Sequence, residues 1–198
     1  MSADEDELFD EDIESFDEDD LDDLDDDDDD FIEDATDDEI DLVVAAYRED
    51  GEPVVVPMAL ELANDLDELI TQLRRLPGDG GVVGAVSINS EFFVLVRVRG
   101  RNVEVLLSDA LAALEWPLAH DVADFLGVDV EDEDDDDDSD YLGDIEMFAD
   151  VGIEEMDMEA IVDESNDGNS EDAVAMVFDQ LKFGAQYRRA LQQAGGNR

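Results

Sequence analysis

The side chains of this 198-residue chain that could do chemistry are few: one histidine, no cysteine, and hydroxyls and carboxylates scattered through loops. His120 could serve as a general base, because imidazole titrates near neutrality. Its setting, Trp116-Pro117-Leu118-Ala119-His120-Asp121, predicts a helix with His120 one turn from both Trp116 and Asp124. Ser87, Ser90 and Ser108 supply hydroxyls, but none lies in a nucleophile-elbow pattern. Without a convergent acid, base and nucleophile, His120 reads as a surface or half-buried helix residue, not a catalyst. The lack of cysteine excludes disulfides, thiolate metal sites and Cys nucleophiles, and one histidine excludes a multi-His metal cage.

Three other patterns point weakly toward ligands. Asp163, Ser165, Asp167, Gly168 and Glu171 have the spacing of loop positions one, three, five, six and nine of an EF-hand. Position twelve is Val174, where calcium needs a bidentate carboxylate, and position eight is Ser170, where an apolar residue is usual. The stretch therefore reads as a polar interhelical loop with Ser170 as N-cap. Gly78-Asp79-Gly80-Gly81 precedes a strand, so it lacks the helix N-terminus that lets glycine loops bind phosphate. Arg97, Arg99 and Arg101 alternate along one strand, and Arg97 is expected to pair across the sheet with Glu104. No catalytic, cofactor-binding or metal-ligating residue is assigned, and no cofactor is expected.

The charge is extreme. The chain has 63 Asp and Glu against 10 Lys and Arg, a net charge of −53. Positions 1–41 hold 26 acids and no base, and positions 129–140 hold ten more. Such blocks repel themselves and offer too little apolar surface to offset backbone ordering. Residues 1–41 read as a disordered acidic tail and 129–140 as an acidic linker. Apolar residues threaded through the tail, such as Phe9, Ile13 and Phe16, could form a short amphipathic segment on a partner. Nucleic acid and anionic membranes would repel the chain, so direct binding to either is not expected. No apolar run reaches the roughly 18 residues that span a bilayer, and Met1 leads into acids and not into a basic signal-peptide start. The expectation is a soluble, cytoplasmic protein.

Between the acidic blocks, residues 42–128 read as a small α+β domain. Leu42–Arg48 and Pro53–Pro57 are strands joined by a type I′ turn at Asp50-Gly51, placing Tyr47 opposite Val54. The prolines put the second strand at a sheet edge. Met58–Leu76 carries leucines on one helical face and ends at Pro77-Gly78. Gly81–Ile88, Glu91–Arg99 and Asn102–Leu107 are further strands, with Val94, Val96 and Val98 opposite Leu107, Val105 and Val103. One sheet face is then wholly apolar and the other mixed. Ser108 is expected to cap a helix with Leu111 and Leu114 pointing inward, and a second helix runs on from Pro117. The fold expected is a five-stranded antiparallel sheet in the order ββαβββαα, an order similar to that of longin and roadblock-like folds. Residues 141–198 read as a small helical region with helices at Asp144–Val151, Ile153–Val162, Ser170–Leu181 and Gly184–Gln192. Its expected core includes Met147, Phe148, Ile153, Met156, Phe178 and Tyr187.

The wording of the central body adds a resemblance. Ala46-Tyr47-Arg48-Glu49-Asp50-Gly51, Asp65-Leu66-Asp67-Glu68-Leu69, Glu91-Phe92-Phe93-Val94 and Leu107-Ser108-Asp109-Ala110 followed by Trp116-Pro117 resemble the tRNA adenosine deaminase-associated family of high-GC Gram-positive bacteria. The resemblance implies an accessory of that enzyme and no catalytic residue. A zinc deaminase needs His-x-Glu and Pro-Cys-x-x-Cys, whereas His120 is followed by Asp121-Val122 and the chain has no cysteine. The expected function is thus a non-catalytic, non-enzymatic partner of a basic protein, a tRNA adenosine deaminase, held through acidic segments. The alternative is a general acidic interaction module, a nucleic-acid mimic or chaperone for basic proteins. An enzyme centred on His120 is a third reading.

Overall fold

Tight turns set the register of the sheet. The computed structural model describes residues 32–130 and 141–195. Strands β1 (Ile40–Glu49) and β2 (Glu52–Pro57) are joined by Asp50 and Gly51 at φ 53° and 83°, the type I′ geometry that Asp-Gly favours. This turn places Tyr47 opposite Val54 and Ala45 opposite Val56. Strands β3 (Val82–Ile88) and β4 (Phe92–Arg99) meet at Asn89 and Ser90, both with positive φ. Gly100, at φ 61°, turns β4 into β5 (Asn102–Leu107) and brings Val94, Val96 and Val98 opposite Leu107, Val105 and Val103. The sheet is antiparallel, in the order β2-β1-β3-β4-β5-β6, with the proline-bounded β2 on one edge as expected.

Among the described residues it has six strands, not five. After the acidic linker the chain re-enters the sheet at β6 (Leu142–Gly143), which pairs with β5. Gly143 holds φ 103°, and a Cβ there would lie 2.0 Å from the Val105 carbonyl oxygen, so only glycine fits. A two-residue strand beside an aspartate run carries no periodic signal. β1 likewise begins at Ile40, two residues inside the stretch read as tail, because Ile40 is buried opposite Ile88. The rest of that tail up to residue 31, with its threaded apolar residues, and residues 131–140 of the linker lie outside the described residues.

The first face buries the valines of β4 under the helical segments of the central body. The single helix expected over Met58–Leu76 is a 3-10 turn at Leu60–Asn64 and a separate helix α1 (Leu66–Arg74). Asp65, extended at φ −148°, divides them and caps α1 by accepting from the Glu68 N–H at 2.8 Å. Leu66, Leu69, Ile70 and Leu73 face the sheet. Helix α2 (Pro117–Leu126) starts with proline at its first position and ends at left-handed Gly127.

The C-terminal region docks on the second face. Helices α3 (Glu155–Asn166), α4 (Ser170–Gln180) and α5 (Gly184–Gly195) share one core with Leu42, Val44, Ala85, Phe93 and Leu95. The result is a sheet between two helical layers. Met147, Phe148, Ile153, Phe178 and Tyr187 are buried as expected, but Met156 is 78% exposed and Met158 takes its place inside. The helix expected at Asp144–Val151 is a turn followed by a 3-10 segment at Ala149–Val151: the Met147 carbonyl, which an α-helix would pair with the Val151 N–H, accepts from Arg97, and the Val151 N–H bonds to the Phe148 carbonyl at 3.0 Å instead. No helix among the described residues is long and apolar enough to cross a membrane.

Candidate functional site

The strands run between two ends that differ in charge. At one end, where β4 begins, a cleft of about 940 Å³ opens between the β3–β4 turn, the segment after β5 and the α3–α4 loop. Its apolar parts are Phe92, Trp116, Leu111 and Leu114, and its rim carries Glu91, Asp109, Glu115 and Asp167. The Phe92 and Trp116 rings lie 6.0 Å apart, tilted by 48°.

The local fold after β5 overturns an expectation. Ser108 caps nothing; it is buried and its Oγ accepts from the Phe93 N–H at 2.9 Å. Asp109 is the N-cap, accepting from the Leu111 N–H at 2.9 Å, and Ala110–Leu114 form a 3-10 helix. With three residues per turn, positions i and i+3 fall on one ridge. Ala112 and Ala113 face the core, so Leu111 and Leu114 face solvent, 61% and 37% exposed. The signal for this was present: Asp109 is a strong N-cap, and a run of five residues before Trp116-Pro117 is too short to bury two leucines as an α-helix.

The same end is pinned by a polar network. Ser87 Oγ donates to Asp41 at 2.9 Å and lies 2.7 Å from Ser170 Oγ, while the Ser90 N–H donates to the same Asp41 carboxylate at 2.6 Å. Ser170 is therefore not the N-cap expected of it; it opens α4 with its side chain turned into the sheet. Asp163 and Ser165 lie within α3, and Ser165 Oγ donates to the Val162 carbonyl at 2.7 Å, so these residues do not assemble an EF-hand loop. Among the described residues no three His, Asp or Glu side chains come together as a metal site.

At the opposite end, a second cavity of about 470 Å³ lies between the sheet's second face and the α4–α5 turn. Arg48, Arg97 and Lys182 line it. Arg97 is buried and does not pair with Glu104, although the two are register partners. Its guanidinium donates to the Met147 carbonyl and, at 2.6 and 2.9 Å, to both oxygens of Asp150. Those hydrogen bonds hold the Asp150 carboxyl below the usual range. Glu104 accepts from Arg99 instead, at 2.9 Å. Glu104 stays near the sheet surface, whereas Arg97 is drawn down by the docked C-terminal segment.

His120 is on neither site. It lies on α2, about half exposed, with Asp124 3.7 Å away one turn later and Trp116 one turn before, as its spacing suggested. The neighbouring Asp121 carboxyl is pushed up by partial burial and by Asp65 and Asp67, although it accepts from the Leu66 N–H at 3.1 Å. None of the three serines considered lies beside the imidazole: Ser87 and Ser108 bond elsewhere, and Ser90 is in the β3–β4 turn.

Residues 41–184 match the family described as Rv3753c-like tRNA adenosine deaminase-associated protein. The chain is 32% identical over 153 residues to Protein Rv3753c of Mycobacterium tuberculosis, a span covering 77% of this chain and 88% of that protein. No solved structure gives a significant match. The resemblance carried by the turn at Asp50-Gly51, the strand at Phe92–Arg99 and the Trp116-Pro117 break is thus a relationship across the folded body: the chain belongs to the Rv3753c-like tRNA adenosine deaminase-associated protein family.

Proposed function

We propose that this protein is a non-catalytic accessory of a tRNA adenosine deaminase and holds that basic partner through its carboxylates. The observation that carries the reading is the acid-rimmed cleft, in which exposed Leu111 and Leu114 sit among Glu91, Asp109, Glu115 and Asp167. An enzyme that binds tRNA must present basic surface to the phosphates. Apolar contacts ringed by opposite charge give such a partner both affinity and orientation. The acidic blocks at 1–31 and 131–140 would add long-range steering and speed the encounter. Catalysis is left to the partner, because this chain lacks the cysteines and the His-x-Glu pair of a zinc deaminase.

The test is co-purification of the tagged full chain with the deaminase, together with an inosine-formation assay on tRNA. Complex recovery should fall at least tenfold between low and high salt. Leu111→Ser with Leu114→Ser should reduce it similarly at low salt without changing the melting temperature. Deleting residues 1–31 should slow association more than it speeds dissociation. Salt-independent recovery, or capture of many unrelated basic proteins at equal yield, contradicts the proposal. Inosine formation by this chain alone would also contradict it.

A further inference from the structure

The cavity at the opposite end of the sheet has no part in that docking surface and has the make-up of a ligand site. Its floor is apolar, formed by Ala46 and Val83 of the sheet with Phe148 and Phe183. Small-molecule pockets of this size are mostly apolar, with a few polar groups that fix orientation. Both lining arginines lie against aromatic rings: the Arg48 guanidinium carbon is 5.0 Å from the Phe183 ring centre, and that of Arg97 is 5.4 Å from the Phe148 ring centre. Arg97 is committed to Asp150. Arg48 spends one N–H on the Leu181 carbonyl at 3.2 Å, and among the described residues no carboxylate lies within ion-pair distance of Arg48 or Lys182. Arg74, Arg75, Arg101 and Arg189 also have no such partner among the described residues; what sets Arg48 and Lys182 apart is that both line one largely apolar cavity. Asp79 is the one acidic residue in the lining.

Lys182 supplies a second observation. Helix α4 ends in a Schellman motif: the Phe183 N–H bonds to the Phe178 carbonyl at 2.8 Å and the Lys182 N–H to the Asp179 carbonyl at 3.1 Å. Lys182 occupies the left-handed position at φ 67°, where glycine is the favoured residue. The turn itself gives no reason for a long side chain at this position, and the one present lines the cavity.

We propose that this cavity binds a small organic anion, its apolar or aromatic body on Phe148 and Phe183 and its carboxylate or phosphate between Arg48 and Lys182. The test is a titration of the full chain, followed by backbone amide NMR, with 1-naphthoate, 1-naphthyl phosphate and neutral 1-naphthamide. These probes share a ring and differ in the head group. At least one of the two anions should bind at least tenfold more tightly than the amide, with shifts centred on residues 80–83 and 181–183, and the tighter of the two identifies the head group. Lys182→Gly should keep or raise the melting temperature, because glycine relaxes the left-handed position, and should weaken the anion at least tenfold. Arg48→Gln keeps a donor for the Leu181 carbonyl and should weaken it comparably. Equal binding of amide and anions, shifts centred elsewhere, no binding by any probe, or full affinity in Lys182→Gly would each overturn the assignment.

Discussion

The two faces of the sheet are sealed by different means. On the first, the contacts between helices and sheet are apolar, leucines of α1 and α2 on the valines of β4 and β5. On the second, most of the buried polar side chains of the described body are gathered: Ser87, Arg97, Ser165 and Ser170. Two of these groups fasten the C-terminal layer at opposite ends, Ser87 to Ser170 at one and Arg97 to Asp150 at the other. Apolar burial is non-directional and accepts small slips. Hydrogen-bonded pairs demand one geometry. A helical layer of some fifty residues folds alone only marginally, and polar fasteners give it a single register on the sheet.

The largest effect should come from the Arg97 fastener. Asp150→Ala leaves a buried guanidinium with only the Met147 carbonyl, at an expected cost of about 2 kcal/mol. The figure lies below that for a fully buried pair because Asp150 is about half exposed and solvent screens it. Urea denaturation measures it. Adding Arg97→Met to Asp150→Ala should recover most of the loss, since the unpaired charge is then gone. The pH dependence has a definite sign. The Asp150 carboxyl is held below its ordinary value of 3.8, so its contribution is full above that value and is lost as pH falls through the lower, folded value. The gap between wild type and Asp150→Ala should therefore close in strong acid. A gap that is constant with pH means that the pair is not the fastener.

The hydroxyl fastener should be weaker. Ser87→Ala should cost about 1 kcal/mol, because it leaves the buried Ser170 hydroxyl without this partner, and Ser170→Ala less, because the Ser87 hydroxyl still donates to Asp41. The double variant should cost less than the sum of the singles, as expected for side chains in contact. Strict additivity would show that the two serines are independent.

How legible the molecule was in its sequence follows the same division. The hairpin registers of the central body were readable because Asp50-Gly51 and Gly100 fix turn geometry and valines alternate with period two. The family resemblance rested on those same residues. On the second face the helices and most of their buried apolar residues were readable from helical spacing, but the polar ties were not. Arg97 and Glu104 oppose each other in register, and nothing local says that Arg97 will be claimed by Asp150, fifty-three residues later. Strand β6 depends on one glycine fitting against Val105, a tertiary fact. The acid-rimmed cleft was harder to read for a different reason, even with the N-cap signal at Asp109. Leu111 and Leu114 look like core residues by composition, and only the 3-10 winding of Ala110–Leu114 turns them outward. The cavity of Arg48 and Lys182 joins residues that are far apart in the chain.

One polar atom on the second face is not a fastener at all. Tyr187 is stacked on Phe178, ring centres 4.9 Å apart, and its buried hydroxyl has no hydrogen-bond partner among the described residues. Burial, with Glu171 and Asp172 nearby, pushes the phenol further up, so it stays neutral. Tyr187→Phe should raise stability by about 1 kcal/mol by removing an unsatisfied group while keeping the ring. A loss of stability of that size instead would mean that the hydroxyl is satisfied in solution, and the second face would then hold three fasteners.

The smallest expected effect lies on the first face and has the opposite pH sign. Asp121 reaches from α2 to the Leu66 N–H, at the start of α1, and partial burial, Asp65 and Asp67 all work against its charge. A carboxyl raised in the folded state costs nothing below its unfolded value of about 3.8 and its full penalty above the folded one. Stability should thus decline through that window as pH rises. Asp121→Asn keeps an oxygen to accept from Leu66 and removes the charge. Its gain at neutral pH should be no more than about 0.5 kcal/mol, because the group is only partly buried and solvent still screens it, and it should vanish near pH 3. Set against Asp150→Ala, whose deficit also fades in acid, the two variants should converge on wild type from opposite sides. Destabilisation by Asp121→Asn at neutral pH would show that the carboxylate charge on the N-terminus of α1 outweighs its desolvation, and that the first face too is held by a polar tie.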